Sequence, residues 1–315
     1  MNIMITGGQG FLEQRLAKYL LSQSTIPVDE LTLIDVIEPL APNNDPRVRC
    51  LAMDLRDSEG LHSLITPQTD AVFHLAAIVS SQAEQEPDLG YDVNFLATRH
   101  LLEVCRRNHP QLRFIFSSSL AVFGGVLPEE IQQNTAVTPQ STYGTQKAMC
   151  ELLINDYIRK GFVDGLTVRL PTICVRPGKP NQAASSFVSS IIREPLHHQK
   201  AICPVSKELV LWLSSPDTVV ANLAHALTLP ALPKSDWNVI NLPGISVRVR
   251  QMLEALAELK GQSILDLIDF SFDEKVNNIV ASWPTKMDNS RALSLGFAVD
   301  ADFATVIRQF ITNNM

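Results

Sequence analysis

The chain has 315 residues, of which 45% are hydrophobic and 19% charged. With 26 Lys and Arg against 33 Asp and Glu, its net charge is −7, so it carries no basic excess for a nucleic-acid backbone. The apolar content excludes a disordered chain. No run reaches the roughly 18 apolar residues of a membrane span.

The first expected strand is Asn2 to Thr6, running into Gly7-Gly8-Gln9-Gly10. Its start, Met1-Asn2-Ile3-Met4, has no basic region before the apolar run, so no signal peptide is expected. Leu12, Leu16, Tyr19 and Leu20 share one face of a helix over 11–21. Further strands are expected at 30–36, 47–52, 71–75 and 112–117, with a helix over 92–107. Strands apolar on both faces, alternating with helices, predict a parallel α/β sheet covered on both sides. A long helix over 142–160 and a strand over 166–170 follow. Residues 171–235 are rich in Pro and Ser, with few long periodic segments. A late strand near 237–241, a helix over 247–259 and two or three short helices, broken at Pro284 and Gly296, complete the chain. The expected layout is a doubly wound nucleotide-binding domain over 1–170, with the strand near 237–241 returning to it. The remainder, 171–315, is expected to form a smaller, discontinuous substrate-binding cap.

Chemistry concentrates in two places. In the first turn, Gly7 permits a tight bend and Gly10 lets the backbone approach a pyrophosphate, at the N–H end of the following helix. The third position of this pattern is usually Gly or Ala; here it is Glu13, which either bends outward or loosens the turn. Asp35 closes the second strand, where a carboxylate can accept from ribose hydroxyls and repel a 2′-phosphate. No Arg or Lys follows in Val36-Ile37-Glu38, which favours NAD over NADP. Asp54, after the third strand, either reaches the adenine or caps a turn.

The second place joins Ser117-Ser118-Ser119, at the end of the fifth strand, to Tyr143 and Lys147. Four residues apart on a helix, Tyr143 and Lys147 share a face. A nearby ammonium favours a phenolate, which can take the proton of a substrate hydroxyl while hydride leaves the same carbon. Ser119 can hold the reacting oxygen. The plainer alternatives are a packing tyrosine and a capping serine.

Gly7-x-x-Gly10, Asp35, His74-Leu75-Ala76-Ala77, Asn94, Ser117–Ser119 and Tyr143-x-x-x-Lys147 together resemble the extended short-chain dehydrogenase/reductase family, also described as NAD-dependent epimerases and dehydratases. The resemblance implies a Rossmann fold, bound NAD and a catalytic set of Ser119, Tyr143 and Lys147. It extends the implied cofactor contacts to Gln9, Phe11, Leu12, Asp54, Leu55, Leu75, Ala76, Ala77, Asn94, Ser117, Ser118 and Pro171, beside Gly7, Gly10, Asp35, Tyr143 and Lys147. Asn94 is implied to organise the active-site wall. Longer stretches, among them Ser118 to Gly125, Thr138 to Lys147 and Val175 to Asn181, resemble a bacterial subgroup that oxidises C2 of a free four-carbon sugar acid.

Such a substrate needs a cation for its carboxylate and polar partners for its hydroxyls. Arg176 is the first candidate for the carboxylate; a salt bridge between cap and core is its plainer role. Ser80, Asn181 and Ser186 join Ser119 and Tyr143 as candidate substrate contacts, while Lys179 faces either substrate or solvent. A nucleotide-sugar epimerase or dehydratase that retains its NAD is the alternative activity, and an NAD-binding regulatory protein the non-enzyme alternative. A homodimer is expected through helices 92–107 and 147–159, with Leu96, Leu101, Met149, Leu152 and Leu153 as apolar contacts. Five scattered cysteines without C-x-x-C spacing suggest a reducing, cytoplasmic setting and no metal site.

Overall fold

The computed structural model of the chain describes residues 1–178 and 185–315. The strands of its first half are β1 (Asn2–Thr6), β2 (Glu30–Asp35), β3 (Val48–Ala52), β4 (Ala71–His74), β5 (Arg113–Ser119) and β6 (Asp164–Leu170). Then come β7 (Thr172–Ile173), β8 (Ala201–Ile202), β9 (Val210–Ser214), β10 (Val239–Asn241), β11 (Ile245–Arg248) and β12 (Ile268–Asp269). The helices are α1 (Phe11–Ser22), α2 (Ser58–Leu64), α3 (Ser80–Gln85), α4 (Pro87–Gly90), α5 (Ala97–Asn108) and α6 (Thr142–Arg159). They continue as α7 (Ser186–Leu196), α8 (Pro216–Thr228), α9 (Val249–Lys260), α10 (Glu274–Ala281), α11 (Ser290–Ser294) and α12 (Phe303–Asn314).

These elements form two compact units. The first comprises Met1–Val122, Pro139–Arg169 and Val220–Ile240. Its returning segment therefore carries most of α8 as well as a strand. The large sheet has the order β10-β6-β5-β4-β1-β2-β3, and β3, β2, β1, β4 and β5 pair in parallel. From β1 the chain builds outward through β2 and β3, then crosses back to place β4 on the other side. The strand order thus reverses at the β1–β4 pair, and the carboxyl ends there are where open α/β sheets bind ligands. Ile3, Ile5, Leu31, Leu33, Val72, Phe73, Phe114 and Ile115 are all buried. Both faces of these strands are covered, which explains their unbroken apolar runs.

The helix expected over 92–107 is in two parts. Tyr91–Leu96 is a π-helical turn, and regular α5 begins only at Ala97. The wide turn coincides with Asn94, whose backbone carbonyl accepts from both Thr98 Oγ1, at 2.7 Å, and Cys150 Sγ, at 3.1 Å.

The second unit comprises Phe123–Thr138, Leu170–Val219 and Asn241–Met315. It holds a three-stranded sheet, β11-β9-β7, and the two-stranded parallel pair β12-β8. Its core joins Phe187, Ile191 and Ile192 of α7 to Met252 and Leu256 of α9 and Phe303 and Ile307 of α12. Buried Asp300 ties the end of β9 to the start of α8, accepting from Ser214 Oγ (3.0 Å), Ser215 N (2.8 Å), Ser215 Oγ (2.7 Å) and Thr218 Oγ1 (2.7 Å). The segment 171–235 is more regular than its Pro and Ser content suggests. In α7 the polar residues Ser186, Ser189, Ser190, Arg193 and Glu194 recur at helical spacing, yet every residue from Phe187 to Leu196 is buried, so this polar side also packs against protein.

Candidate active site

The first turn is built for close approach. Gly7 has φ +77°, and a methyl there would lie 3.0 Å from Ala76 Cα. Gly10 N donates to Gly7 O at 2.8 Å, closing the turn. Gly10 also caps α1 without a side-chain hydrogen bond, so the helix presents its first backbone N–H groups as an anion cradle. Asp35 Oδ2 accepts from Gln9 N at 3.0 Å and Oδ1 from Val36 N at 2.7 Å, pinning the carboxylate beside this turn. Gln9 Oε1 in turn accepts from Leu40 N at 3.2 Å. Two small residues at a backbone cradle and a carboxylate closing β2 fit the diphosphate and ribose of a dinucleotide. Glu13 is the one discordant group, since its carboxyl lies over Gly10.

The outer candidates divide. Phe11 and Leu12 open α1 and are half-buried, with the Arg15 guanidinium 5.0 Å from the Phe11 ring centroid. Asp54 is gripped by Arg56 in its own turn, Nη2 to Oδ2 at 2.5 Å, and that guanidinium holds its carboxyl below the usual range. Its Oδ1 also accepts from Arg56 N at 2.9 Å, so it caps the turn as well. Leu55 packs into the core of the first unit.

A buried hydrogen-bond chain lies behind the switch point. Ala76 N donates to Thr6 Oγ1 at 3.3 Å, and Thr6 Oγ1 lies 2.8 Å from His74 Nδ1. His74 Nε2 lies 2.7 Å from Thr98 Oγ1, which itself donates to Asn94 O. Because Thr98 spends its proton on Asn94, His74 must donate from Nε2 and accept at Nδ1. Burial, reinforced by the Lys147 charge, pushes the imidazole down to about 3, so it stays neutral. The chain positions Asn94, whose Oδ1 accepts from Ile78 N at 2.7 Å and whose Nδ2 donates to Gln146 Oε1 at 2.7 Å. Buried Asn94 thus braces the strand-end segment Leu75-Ala76-Ala77-Ile78 from behind.

The serines at the end of β5 have distinct jobs. Ser117 Oγ donates weakly to His74 O at 3.5 Å, and Ser118 Oγ donates to Glu151 Oε1 at 2.5 Å. Both are buried. Ser119 is half-buried; its Oγ accepts from Ala121 N at 3.1 Å, which keeps its O–H available as a donor. Tyr143 stands in the first turn of α6, whose N-cap Ser141 accepts from Gly144 N at 3.1 Å. Lys147, one turn later, is buried and donates from Nζ to Ser117 O at 2.7 Å. Its Nζ sits 4.5 Å from the Phe116 ring centroid and 5.7 Å from that of Tyr143. Burial pushes this ammonium down to about 8, against the opposing pull of Cys150, Glu13 and Glu151.

Behind Lys147, Glu151 pairs with Arg169 Nη2 at 2.7 Å, both side chains almost fully buried. Sequence reasoning missed Thr6, Thr98, Gln146, Glu151 and Arg169. One signal for the pair was present: Arg169 is the lone charge in the apolar run Leu166-Thr167-Val168-Arg169-Leu170, and a buried charge requires a partner.

Of the proposed substrate contacts, Ser80 is exposed at the start of α3 in the first unit. In the second unit, Pro171 is buried and Ser186 opens α7. Arg176 is exposed, donating from Nε to Ile173 O at 3.1 Å and from its backbone N to Ser189 Oγ at 3.0 Å. Lys179 and Asn181 lie outside the described residues.

A glycine turn at the sheet's switch point, a carboxylate closing β2 and Ser119, Tyr143 and Lys147 around the end of β5 define a nicotinamide-dependent oxidoreductase of the short-chain dehydrogenase/reductase class. The model of the NAD dependent epimerase/dehydratase family matches residues 3–239, and the chain belongs to that family. It is similar to a D-erythronate dehydrogenase of Haemophilus influenzae, 69% identical over 100% of both chains. A D-erythronate dehydrogenase of Cupriavidus necator is 49% identical over 99% of this chain and 98% of its own. Among solved structures, a nucleoside-diphosphate-sugar epimerase of Agrobacterium tumefaciens superposes with a TM-score of 0.95 at 38% identity, covering 100% of this chain and 94% of that one.

Proposed function

We propose that the chain oxidises the C2 hydroxyl of a free four-carbon sugar acid, D-erythronate, to 2-oxo-D-erythronate. The observation that carries this is the pair of full-length D-erythronate dehydrogenase relatives, at 69% and 49% identity, joined to the Ser119, Tyr143 and Lys147 set. NAD, when bound, accepts the hydride. The Tyr143 oxygen takes the proton of the C2 hydroxyl as the C2–H bond breaks, and the electron pair left on the C2 oxygen forms the new C=O. Lys147 faces the Tyr143 ring with its ammonium and stabilises the phenolate charge during that transfer. Ser119 donates to the substrate oxygen and keeps it in line with Tyr143. Arg176 is the cation proposed for the substrate carboxylate, with Ser80, Ser186 and Asn181 as hydroxyl partners.

The epimerase reading draws support from the name of the Agrobacterium structure at 38% identity and from the description of the matching family. The two activities leave different products. A dehydrogenase releases one NADH per sugar acid oxidised, whereas an epimerase returns the hydride and accumulates none. Incubation with NAD or NADP and a panel of four-carbon sugar acids and nucleotide sugars should give stoichiometric NADH with D-erythronate. NADP should be the poorer oxidant because of Asp35. Epimerised nucleotide sugar without NADH would sink the reading.

The same reading includes a homodimer and a cytoplasmic setting. Leu96, just before α5, and Leu152, on α6, are exposed apolar residues of the helices expected to pair. Leu101 cannot contribute as expected, because it is fully buried in the core of its own unit. Leu153 also packs against that core, and Met149 is half-buried. Light scattering should report a dimer that becomes monomeric when Leu96 and Leu152 are both changed to Glu; a monomeric parent removes the assignment. No helix among the described residues is long and apolar enough to cross a membrane. Four of the five free cysteines are buried, in keeping with a reducing compartment.

A further inference from the structure

The cradle at the start of α1 already holds an anion-forming group of the chain's own. A methyl on Gly10 would lie 2.8 Å from Glu13 Cδ, closer still to Oε2, and 3.0 Å from Gly7 O. The carboxyl of Glu13 therefore folds back over the capping glycine, where a diphosphate must approach. There it lies at the start of the helix, where the backbone N–H groups of Leu12 and Glu13 favour its charged form. Those groups are orphan donors of the first helical turn, the ones an incoming diphosphate would use.

We propose that Glu13 is an affinity-setting residue for the dinucleotide: its carboxyl plugs the diphosphate cradle and has to be displaced or protonated before the cofactor binds. This rests on the reading that NAD binds at the Gly7–Gly10 turn. The carboxyl faces Asp35, at the end of β2, and Lys147, on α6. Burial first and the Asp35 charge next push it up to about 7, while its backbone hydrogen bonds and Lys147 pull the other way.

The sign follows from the charges. Below about pH 7 the plug is largely neutral and yields to the diphosphate without charge repulsion. Above it the plug is an anion facing another anion in a half-buried site, and binding weakens. Oxidised and reduced cofactor carry the same diphosphate, so both are affected equally. Release of NADH after turnover is hastened by the same group that hinders NAD entry.

The test is binding, not turnover. NADH is titrated by its fluorescence and ADP-ribose by calorimetry, at pH 6 and at pH 8.5, against the parent, Glu13→Gln and Glu13→Gly. Glu13→Gln removes the charge and keeps the bulk, whereas Glu13→Gly removes both. At pH 8.5 the Gly variant should bind both ligands at least ~10-fold more tightly than the parent, with the Gln variant between them. The parent should lose affinity from pH 6 to pH 8.5 by a factor that the Gln variant does not show. Lys147 is present in all three proteins, and losing the upward pull of Glu13 makes its ammonium titrate lower in the variants; that weakens their hold on an anion at pH 8.5, so it opposes the predicted difference and cannot produce it. Equal affinity of parent and variants at pH 8.5 overturns the plug and leaves the cofactor site standing. Weaker binding by both variants also overturns it, by making Glu13 a cofactor ligand. Failure of every variant to bind NADH or ADP-ribose overturns the NAD reading itself. If the Gly variant does not fold, the Gln variant still decides the charge effect.

Discussion

Tyr143→Phe is expected to lower turnover at least ~100-fold, the scale of a positioned acid–base group. The substitution removes one oxygen and keeps the ring that stands in the first turn of α6, half-buried and facing Lys147. The loss should therefore appear in chemistry and not in folding. The lost interaction grows as the proton moves, so kcat and kcat/KM should fall together. The dissociation constant for NADH should change little, because the glycine turn and Asp35 are untouched. Melting temperature should stay close to that of the parent. Near-normal turnover in the variant would remove Tyr143 from the mechanism, whatever the substrate proves to be.

Tyr143 could be picked out beforehand because its signal is local. Tyr-x-x-x-Lys, the glycine spacing of the first turn and an aspartate after the second strand each depend on a few adjacent residues. What supports them is not local. Thr6 and His74 are 68 residues apart in sequence and become partners only because β1 and β4 pair with Thr6 opposite His74. Glu151 meets Ser118, 33 residues away, only when α6 packs against the end of β5. Such pairs are set by strand register and helix docking, which a single sequence does not display. α7 is a different case: Ser186, Ser189, Ser190, Arg193 and Glu194 recur at helical spacing and were legible, although that polar side is buried with most of the helix. The same limit of register and docking hid the π turn at Asn94, whose side chain bonds Ile78 and Gln146, 16 and 52 residues away. Glu13 was visible as a departure from the glycine pattern, but its consequence depended on where its carboxyl points. Read from spacing alone it was a flaw in the turn; folded back over Gly10 it is a group with a charge and a titration.

Lys147→Met is expected to match the damage done at Tyr143 while leaving the fold standing, and the reason lies in the cost of burying an ammonium. In the folded chain this group is held down to about 8, from an ordinary 10.5, chiefly by desolvation. Between those values the unfolded chain binds more protons than the folded one, so the Lys147 contribution to stability rises with pH across that window. Below about pH 8 the penalty is fully present, at about 3 kcal/mol for a shift of this size. What Met cannot keep is the hydrogen bond to Ser117 O, and removing the donor to a buried carbonyl costs about 1–3 kcal/mol. The opposing contributions nearly cancel. An unbranched Met of similar length can fill the same slot. The variant should therefore melt cooperatively near the parent's temperature at pH 7. It should lack the parent's gain in stability as pH rises through 8. Turnover should nevertheless fall at least ~100-fold, because the positive charge beside Tyr143 is gone when the proton is transferred. Loss of cooperative folding in Lys147→Met would make the lysine structural. Retained activity would mean that Tyr143 needs no cation, and the buried ammonium would then be a cost with no function to offset it.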